Sequence, residues 1–355
     1  MTVFLFVLGL GLLVAGAEAL VRGASRLAAA LGVSPLVIGL TVVAFGTSAP
    51  ELAVSAGAAL AGQGGLALGN VVGSNIFNVL LILGVSALIV PLVVSADLVR
   101  RDVPLMIALS AATLALARDG VLSRLDGALL LTGLATYVGY LLAAARRERA
   151  PASMDAPARS RGVRGALTDG ALVLVGLGAL VVGARWLVAG AVAFAEALGV
   201  SETVIGLTIV AAGTSLPEVV TSVVASVRGA RDIAVGNVVG SNLFNLMGVL
   251  GLAGVLAPDG VTVAEGVLTF DLPVMLAVAV ACLPVFFTGG TISRGEGAVL
   301  LGYYVAYTAY AVLGATGSGA QPGLGAAMLY FVLPLTALTL VVLAWQEHRR
   351  RRRRV

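Results

Sequence analysis

Two glutamates in this sequence sit where a carboxylate is expensive. Glu51 and Glu218 close the segments GTSAPE (46–51) and GTSLPE (213–218), and each segment interrupts a long apolar run. Pro50 and Pro217 have no N–H to donate and crowd the carbonyls of Gly46 and Gly213, four residues back, so each run should kink there and release carbonyl oxygens. Inside a membrane a released carbonyl is tolerated only where protein, water or an ion satisfies it. Helical spacing puts Thr47 and Ser48, four and three residues before Glu51, on its face of the helix, and Thr214, Ser215 and Glu218 repeat the arrangement. A GNVVGSN segment follows each, with Ser74 four residues before Asn78 and Ser241 four before Asn245.

The inventory is carboxylate, amide, hydroxyl and exposed carbonyl, all of them oxygen donors. Hard cations prefer such a set, and Ca2+ takes about six to eight oxygens. No thiolate or imidazole belongs to it, since the single histidine, His348, lies in the tail, so soft metals are disfavoured. An ionised glutamate at the bilayer centre costs at least about 2.5 to 3.5 kcal/mol, so two facing each other need a partner. One Ca2+ neutralises both, as do two or more Na+, or two protons. An empty, doubly negative site should reorient slowly, which favours exchange of one ligand set for another over uniport. Other polar and small residues have plainer readings. A lone Ser or Thr in a membrane usually bonds its own helix or packs between helices. Asn70 and Asn237 are expected to cap or brace helices, and Gly39, Gly69, Gly73, Gly206, Gly236 and Gly240 to let helices approach. Glu18 belongs near an interface or beside an arginine, and Cys282, the only cysteine, is a core thiol with no disulfide partner in the chain.

The elements that must hold these residues are membrane helices. The chain has 355 residues, 59% hydrophobic and 11% charged, with a mean hydropathy of +1.05, which excludes an ordinary soluble domain. A spanning helix takes about 20 apolar residues, and the sequence offers about eleven such stretches. A β-barrel would alternate in polarity, whereas Ala171 to Val182 is apolar on every face. The first stretch, from Thr2, lacks a basic leader and a small-residue cleavage site and reads as a retained helix.

Gly32–Gly84 and Gly199–Gly251 align without a gap at an offset of 167, with 30 of 53 positions identical, polar residues included. This is an internal duplication. Five helices per copy is an odd number, so the second copy must be inverted relative to the first. The fold class is therefore an all-α membrane protein with a ten-helix inverted repeat (5+5) plus an eleventh C-terminal transmembrane helix. The expected organisation is a first repeat over 1–146, a cytoplasmic linker over 147–164, a second repeat over 165–314, and an extra helix with a basic tail over 315–355.

Charge tests this topology, because Lys and Arg favour cytoplasmic loops. Under the eleven-helix count Arg100, Arg101, the stretch Arg146 to Arg164, Arg228, Arg231, Arg294 and the Arg349–Arg354 tail share one side. The opposite loops carry Asp259, Glu265, Glu196 and Glu202, or the balanced pair Arg118 and Asp119. The N-terminus is expected outside a plasma or inner membrane and the C-terminus in the cytoplasm. The net charge of +4 then belongs to orientation and to contact with anionic lipid, not to nucleic acid. No obligate protein partner is evident.

GTSAPE with GNVVGSNIFN, and GTSLPE with GNVVGSNLFN, resemble the two α-repeats of the cation/calcium exchanger superfamily, in its Na+/Ca2+ exchanger branch. The resemblance covers Met1 to about Gly314 and implies a secondary transporter that exchanges Ca2+ for Na+ by alternating access and holds no cofactor. It implies four cation sites in a diamond at the repeat interface. Glu51 and Glu218 with the carbonyls of Thr47 and Thr214 would take Ca2+. The Ala44 carbonyl with Ser48 and Ser74 would take Na+ on one side, the Ala211 carbonyl with Ser215 and Ser241 on the other, and Asn78 and Asn245 would border the middle. Helices one and six would slide across a fixed core. Many relatives carry Asp where this chain has Asn245, which makes K+ dependence less expected and leaves the site formally at minus two.

Two rivals are weighed against this reading. Proton-coupled Ca2+ antiporters of the superfamily tend to carry a second acid where this chain has Ser74-Asn75 and Ser241-Asn242. A cation channel, from a different class, would need a continuous pore, usually with oligomeric symmetry. An enzyme would need a nucleophile with a base, or a metal with histidine ligands, and neither is evident.

Overall fold

In a computed structural model, which describes residues 2–147, 163–200, 202–339 and 341, the apolar runs become helices. Helix α1 is Thr2–Leu31, α2 has two limbs, Pro35–Thr47 and Ala49–Leu60, and α3 is Gly64–Ile89. Helix α4 joins Leu98–Asp102 to Val103–Leu116, and α5 is Arg124–Arg147. Helix α6 is Val163–Ala197, and α7 runs from Glu202–Ile205 through Ala211–Gly213 to Leu216–Val227. Helices α8 (Arg231–Leu256), α9 (Val267–Phe287), α10 (Arg294–Ala315) and α11 (Gln321–Thr339) complete the set. Residues 148–162 of the expected linker, and the expected basic tail, lie outside the described residues.

Among the described residues eight helices are long and apolar enough to cross a membrane, or nine if the limbs of α2 form one span. Eleven spans were expected from hydropathy. The shortfall has a physical origin, for α4 opens on Arg100, Arg101 and Asp102, and α7 is cut at Thr214-Ser215 so that its apolar limb has only 12 residues. Both interruptions are polar features that the protein interior must pay for with partners.

Helices α1 and α6 pack along most of their length. Gly9, Gly16 and Gly23 lie on Gly183, Gly176 and Val173 respectively, so residue numbers rise along one helix as they fall along the other, and the pair is antiparallel. A Cβ on Gly16 would stand 2.8 Å from the Gly176 carbonyl oxygen, so only glycine permits this approach. Gly39, Gly236 and Gly240 also sit against neighbouring backbone, as expected, but nothing lies within 4 Å of a Cβ placed on Gly69 or Gly73, where the expectation of close packing fails. Glu18 of α1 pairs with Arg22 and, at 2.8 Å, with Arg228 at the end of α7, as its sequence setting implied. Cys282 is buried and unpaired.

The core lies around α3 and α8. Of their most apolar stretches 72% and 89% are buried, against 6% in α10 and none in α11, which places the last two at the periphery. Large exposed side chains such as Leu174, Val175 and Leu129 belong on a lipid-facing surface. Two short antiparallel ladders tie the loops of the halves together. Leu92 and Val93 pair with Ile292 and Thr291, and Val121 and Leu122 pair with Thr262 and Val261.

Candidate cation site

Both GTSxPE segments break their helices at one residue. Ser48 (φ −80°, ψ 7°) and Ser215 (φ −89°, ψ 6°) leave the helical region in nearly the same way. The limbs of α2 meet at 48°, and Pro50 and Pro217 fall in the first turn of the limb that follows, where a missing N–H costs nothing. The kink expected two residues later is thus set at the serines. Glu51 and Glu218 occupy the first turn of the new limbs, where the positive end of the helix dipole favours a carboxylate. Both are 1% exposed, so bulk water does little for either charge.

Each carboxylate is held from the opposite repeat. The Ser215 hydroxyl donates to Glu51 Oε1 at 2.7 Å, and the Ser48 hydroxyl donates to Glu218 Oε1 at 2.9 Å. Thr214 stands near Glu51 and Thr47 near Glu218, in the same crossed pattern. The two carboxylates lie within electrostatic reach of each other. Their second oxygens, Glu51 Oε2 and Glu218 Oε2, are buried and accept no hydrogen bond. Asn78 Oδ1, Asn245 Oδ1 and Ser241 Oγ are buried and unpartnered as well. A buried carboxylate oxygen without a donor is costly, and a cation is the partner that such a cluster of acceptors suits.

The remaining expected residues fall into place unevenly. Ser74 meets Ser215, oxygen to oxygen at 3.2 Å, so its hydroxyl pairing crosses between repeats, where the family resemblance grouped Ser74 with Ser48. Ser74 lies on α3 and Ser215 at the break in α7, so α3 of one repeat packs beside the broken helix of the other. Ala44 is buried, its carbonyl accepting from Ser48 N at 3.0 Å, whereas Ala211 is exposed. Thr47 donates to Asn237 Oδ1 at 3.0 Å. Asn70 and Asn237 act as braces, as expected. Asn70 Nδ2 reaches Ser55 Oγ (2.9 Å) and the Glu51 carbonyl (3.3 Å), and Asn237 Nδ2 reaches Ser222 Oγ (3.0 Å) and the Glu218 carbonyl (3.5 Å). These amides fix the turns that carry the glutamates.

Several residues that sequence reasoning did not single out support the site. Asn75 and Asn242 bond to Asn245 and Asn78 across the repeats. Asp102 accepts from the Tyr137 hydroxyl at 2.9 Å, tying α4 to α5, and Asp271 accepts from Tyr307 at 2.8 Å, tying α9 to α10. An acid inside an apolar helix was the available signal for the last two.

The family described as sodium/calcium exchanger protein matches residues 1–144 and 170–313. The chain is 38% identical over 338 residues to the sodium/calcium exchanger MaX1 of Methanosarcina acetivorans, across 85% of this chain and 96% of that protein. It is 37% identical over 312 residues to the inner membrane protein YrbG of Escherichia coli, across 86% of this chain and 95% of that protein. Among solved structures, the sodium-calcium exchanger NCX_Mj soaked with Na+ and Sr2+ aligns at a TM-score of 0.75 and 32% identity, over 87% of this chain and 97% of that one.

Proposed function

The chain belongs to the sodium/calcium exchanger protein family, and from that premise we propose that it exchanges Ca2+ for Na+ across a plasma or inner membrane by alternating access. The observation that carries the reading is the crossed pair, in which Glu51 and Glu218 are each held by a serine of the other repeat and each keep one buried oxygen unpartnered. A single Ca2+ between those oxygens cancels both charges. Asn78 Oδ1, Asn245 Oδ1, the carbonyls of Thr47, Thr214, Ala44 and Ala211, and the hydroxyls of Ser48, Ser215, Ser74 and Ser241 complete a set of oxygens large enough for one Ca2+ or for Na+ ions in its place.

Exchange follows from the cost of the empty site. Two bare carboxylates in a membrane interior resist reorientation, so the cycle of lowest barrier crosses with Ca2+ in one direction and with Na+ in the other. The ten-helix inverted repeat, with the N-terminus outside, the C-terminus in the cytoplasm and α11 as an added span, is the topology we assign. The antiparallel α1 and α6 support it, as do the ladders joining loops of opposite halves. The glycine seam between α1 and α6 suits a pair that moves together past the core.

The test is Ca2+ uptake into proteoliposomes loaded with Na+, compared with proteoliposomes bearing an outward proton gradient and no Na+. Uptake that requires internal Na+ is expected. Uptake driven by protons and indifferent to Na+ would replace this reading with a proton-coupled one.

A further inference from the structure

Four asparagines meet where α3 crosses α8, and their bonds form a closed logical chain. Asn75 Nδ2 donates to the Asn242 carbonyl at 3.3 Å, and Asn242 Nδ2 donates to the Asn75 carbonyl at 3.4 Å. A carbonyl oxygen only accepts, so each of these amides must turn its nitrogen to the opposite main chain. Their Oδ1 atoms then point the other way, toward the second pair. Asn245 Nδ2 donates to Asn75 Oδ1 at 3.1 Å, and Asn78 Nδ2 donates to Asn242 Oδ1 at 3.0 Å. That fixes the last two amides in turn. With their nitrogens committed, Asn78 and Asn245 keep Oδ1 as the free end, and both oxygens are buried without a partner.

The consequence bears on the cation. Asn78 lies one helical turn from Ser74, whose hydroxyl meets Ser215, which in turn holds Glu51. An asparagine free to rotate half a turn about its last torsion could present either a carbonyl oxygen or an NH2 group to such a site, and the NH2 end repels a cation. Neither Asn75 nor Asn242 is needed as a ligand to prevent this. All four residues are 1% or 2% exposed, and the thioethers of Met275 and Met106 lie behind Asn75 and Asn242, where water cannot substitute for the amide.

We infer that Asn75 and Asn242 are positioning residues that lock the amides of Asn78 and Asn245 with oxygen toward the cation site, and so set its affinity for cations. The inference rests on the exchange reading above. Its distinctive content is orientation, since the main-chain carbonyls of Asn75 and Asn242 determine, through two successive amides, which atom the transported ion meets.

The experiment measures Na+-driven Ca2+ uptake by the full chain in proteoliposomes, with KM and kcat determined separately and thermal stability recorded for each variant. Asn75→Leu releases Asn245, and the expected result is a rise of about tenfold or more in the KM for Ca2+ with kcat changed less than about threefold, the scale of one lost oriented bond to an ion. Asn242→Leu should do the same through Asn78. The discriminating arm is Asn75→Leu on an Asn245→Asp background. A carboxylate offers oxygen at either end, so orientation no longer matters and the added effect of Asn75→Leu on KM should shrink to less than about threefold. A purely structural Asn75 would cost the same in both backgrounds, and that result overturns the inference, as does an unchanged KM in Asn75→Leu itself. If Asn75→Leu does not fold, the symmetric pair takes its place: Asn242→Leu should raise KM about tenfold alone and less than about threefold on an Asn78→Asp background, and an equal rise in both backgrounds would refute the claim. Wild-type protein that moves no Ca2+ at all would instead sink the exchange reading on which the inference depends.

Discussion

Glu51→Gln is the substitution whose effect can be worked furthest from the geometry. The Ser215 hydroxyl donates to Glu51 Oε1 and needs an acceptor there, so the glutamine must keep its oxygen in that position. Its NH2 group then replaces Oε2, the oxygen left unpartnered for a cation. The site loses one ligand, gains a donor where an acceptor stood, and drops from two negative charges to one. Unit charges about 4 Å apart interact by about 4 kcal/mol at an effective dielectric constant of about 20, so the lost attraction is about 8 kcal/mol for Ca2+ and about 4 kcal/mol for a single Na+. At about 1.4 kcal/mol per decade, Ca2+ affinity should fall by at least about 10^5 and Na+ affinity by about 10^3. Because a buried carboxylate has been removed, the cation-free protein should be no less stable than wild type. Equilibrium binding of radiolabelled Ca2+ to purified protein, with and without Na+ as competitor, measures the first two quantities, and a thermal melt in Ca2+-free buffer measures the third. Ca2+ binding within about tenfold of wild type would refute the electrostatic reasoning and the assignment of Glu51 together.

Two further outcomes concern the frame of the site. Tyr137→Phe strips from Asp102, which is 5% exposed, the hydroxyl that donates to it, and should cost about 1.5 to 3 kcal/mol in denaturant unfolding, with much of it restored when Asp102→Leu is added. A single variant within about 0.5 kcal/mol of wild type would show that the pair contributes little. Gly16→Ala drives a methyl to 2.8 Å from the Gly176 carbonyl and should destabilise by about 1 to 3 kcal/mol while slowing transport, whereas Gly11→Ala, with nothing within 4 Å, should be silent in both melting and flux. Equal behaviour of the two would contradict the close α1–α6 seam.

What the sequence made legible was local or repeated. Proline beside glycine and threonine announced the breaks in α2 and α7, and the duplicated motif announced that they belong together. The dihedral break itself falls at Ser48 and Ser215, because a proline is most comfortable in the first turn after a break and not at it. Asn70 and Asn237 could be read as braces because their partners, Ser55 with the Glu51 carbonyl and Ser222 with the Glu218 carbonyl, are brought close by one helical hairpin. The roles of Asn75 and Asn242 could not be read that way. Their partners are main-chain carbonyls 167 residues distant, and side-chain spacing carries no information about which carbonyl a crossing helix will offer. The grouping of Ser74 with Ser215 was hidden for the same reason, since it depends on how α3 of one repeat packs beside the break in α7 of the other. The count of eleven spans exceeded the eight or nine long apolar helices because hydropathy alone passes over the charges that open α4 and the break that shortens α7.

The central claim, that glutamates from two oppositely running repeats share one cation, is tested most directly by the structure of the protein with Ca2+ bound. One ion is expected between α2 and α7, with Glu51 Oε2 and Glu218 Oε2 at about 2.3 to 2.6 Å from it and their Oε1 atoms still held by Ser215 and Ser48. Ca2+ found away from these carboxylates, or bound by one of them while the other keeps to itself, would contradict it.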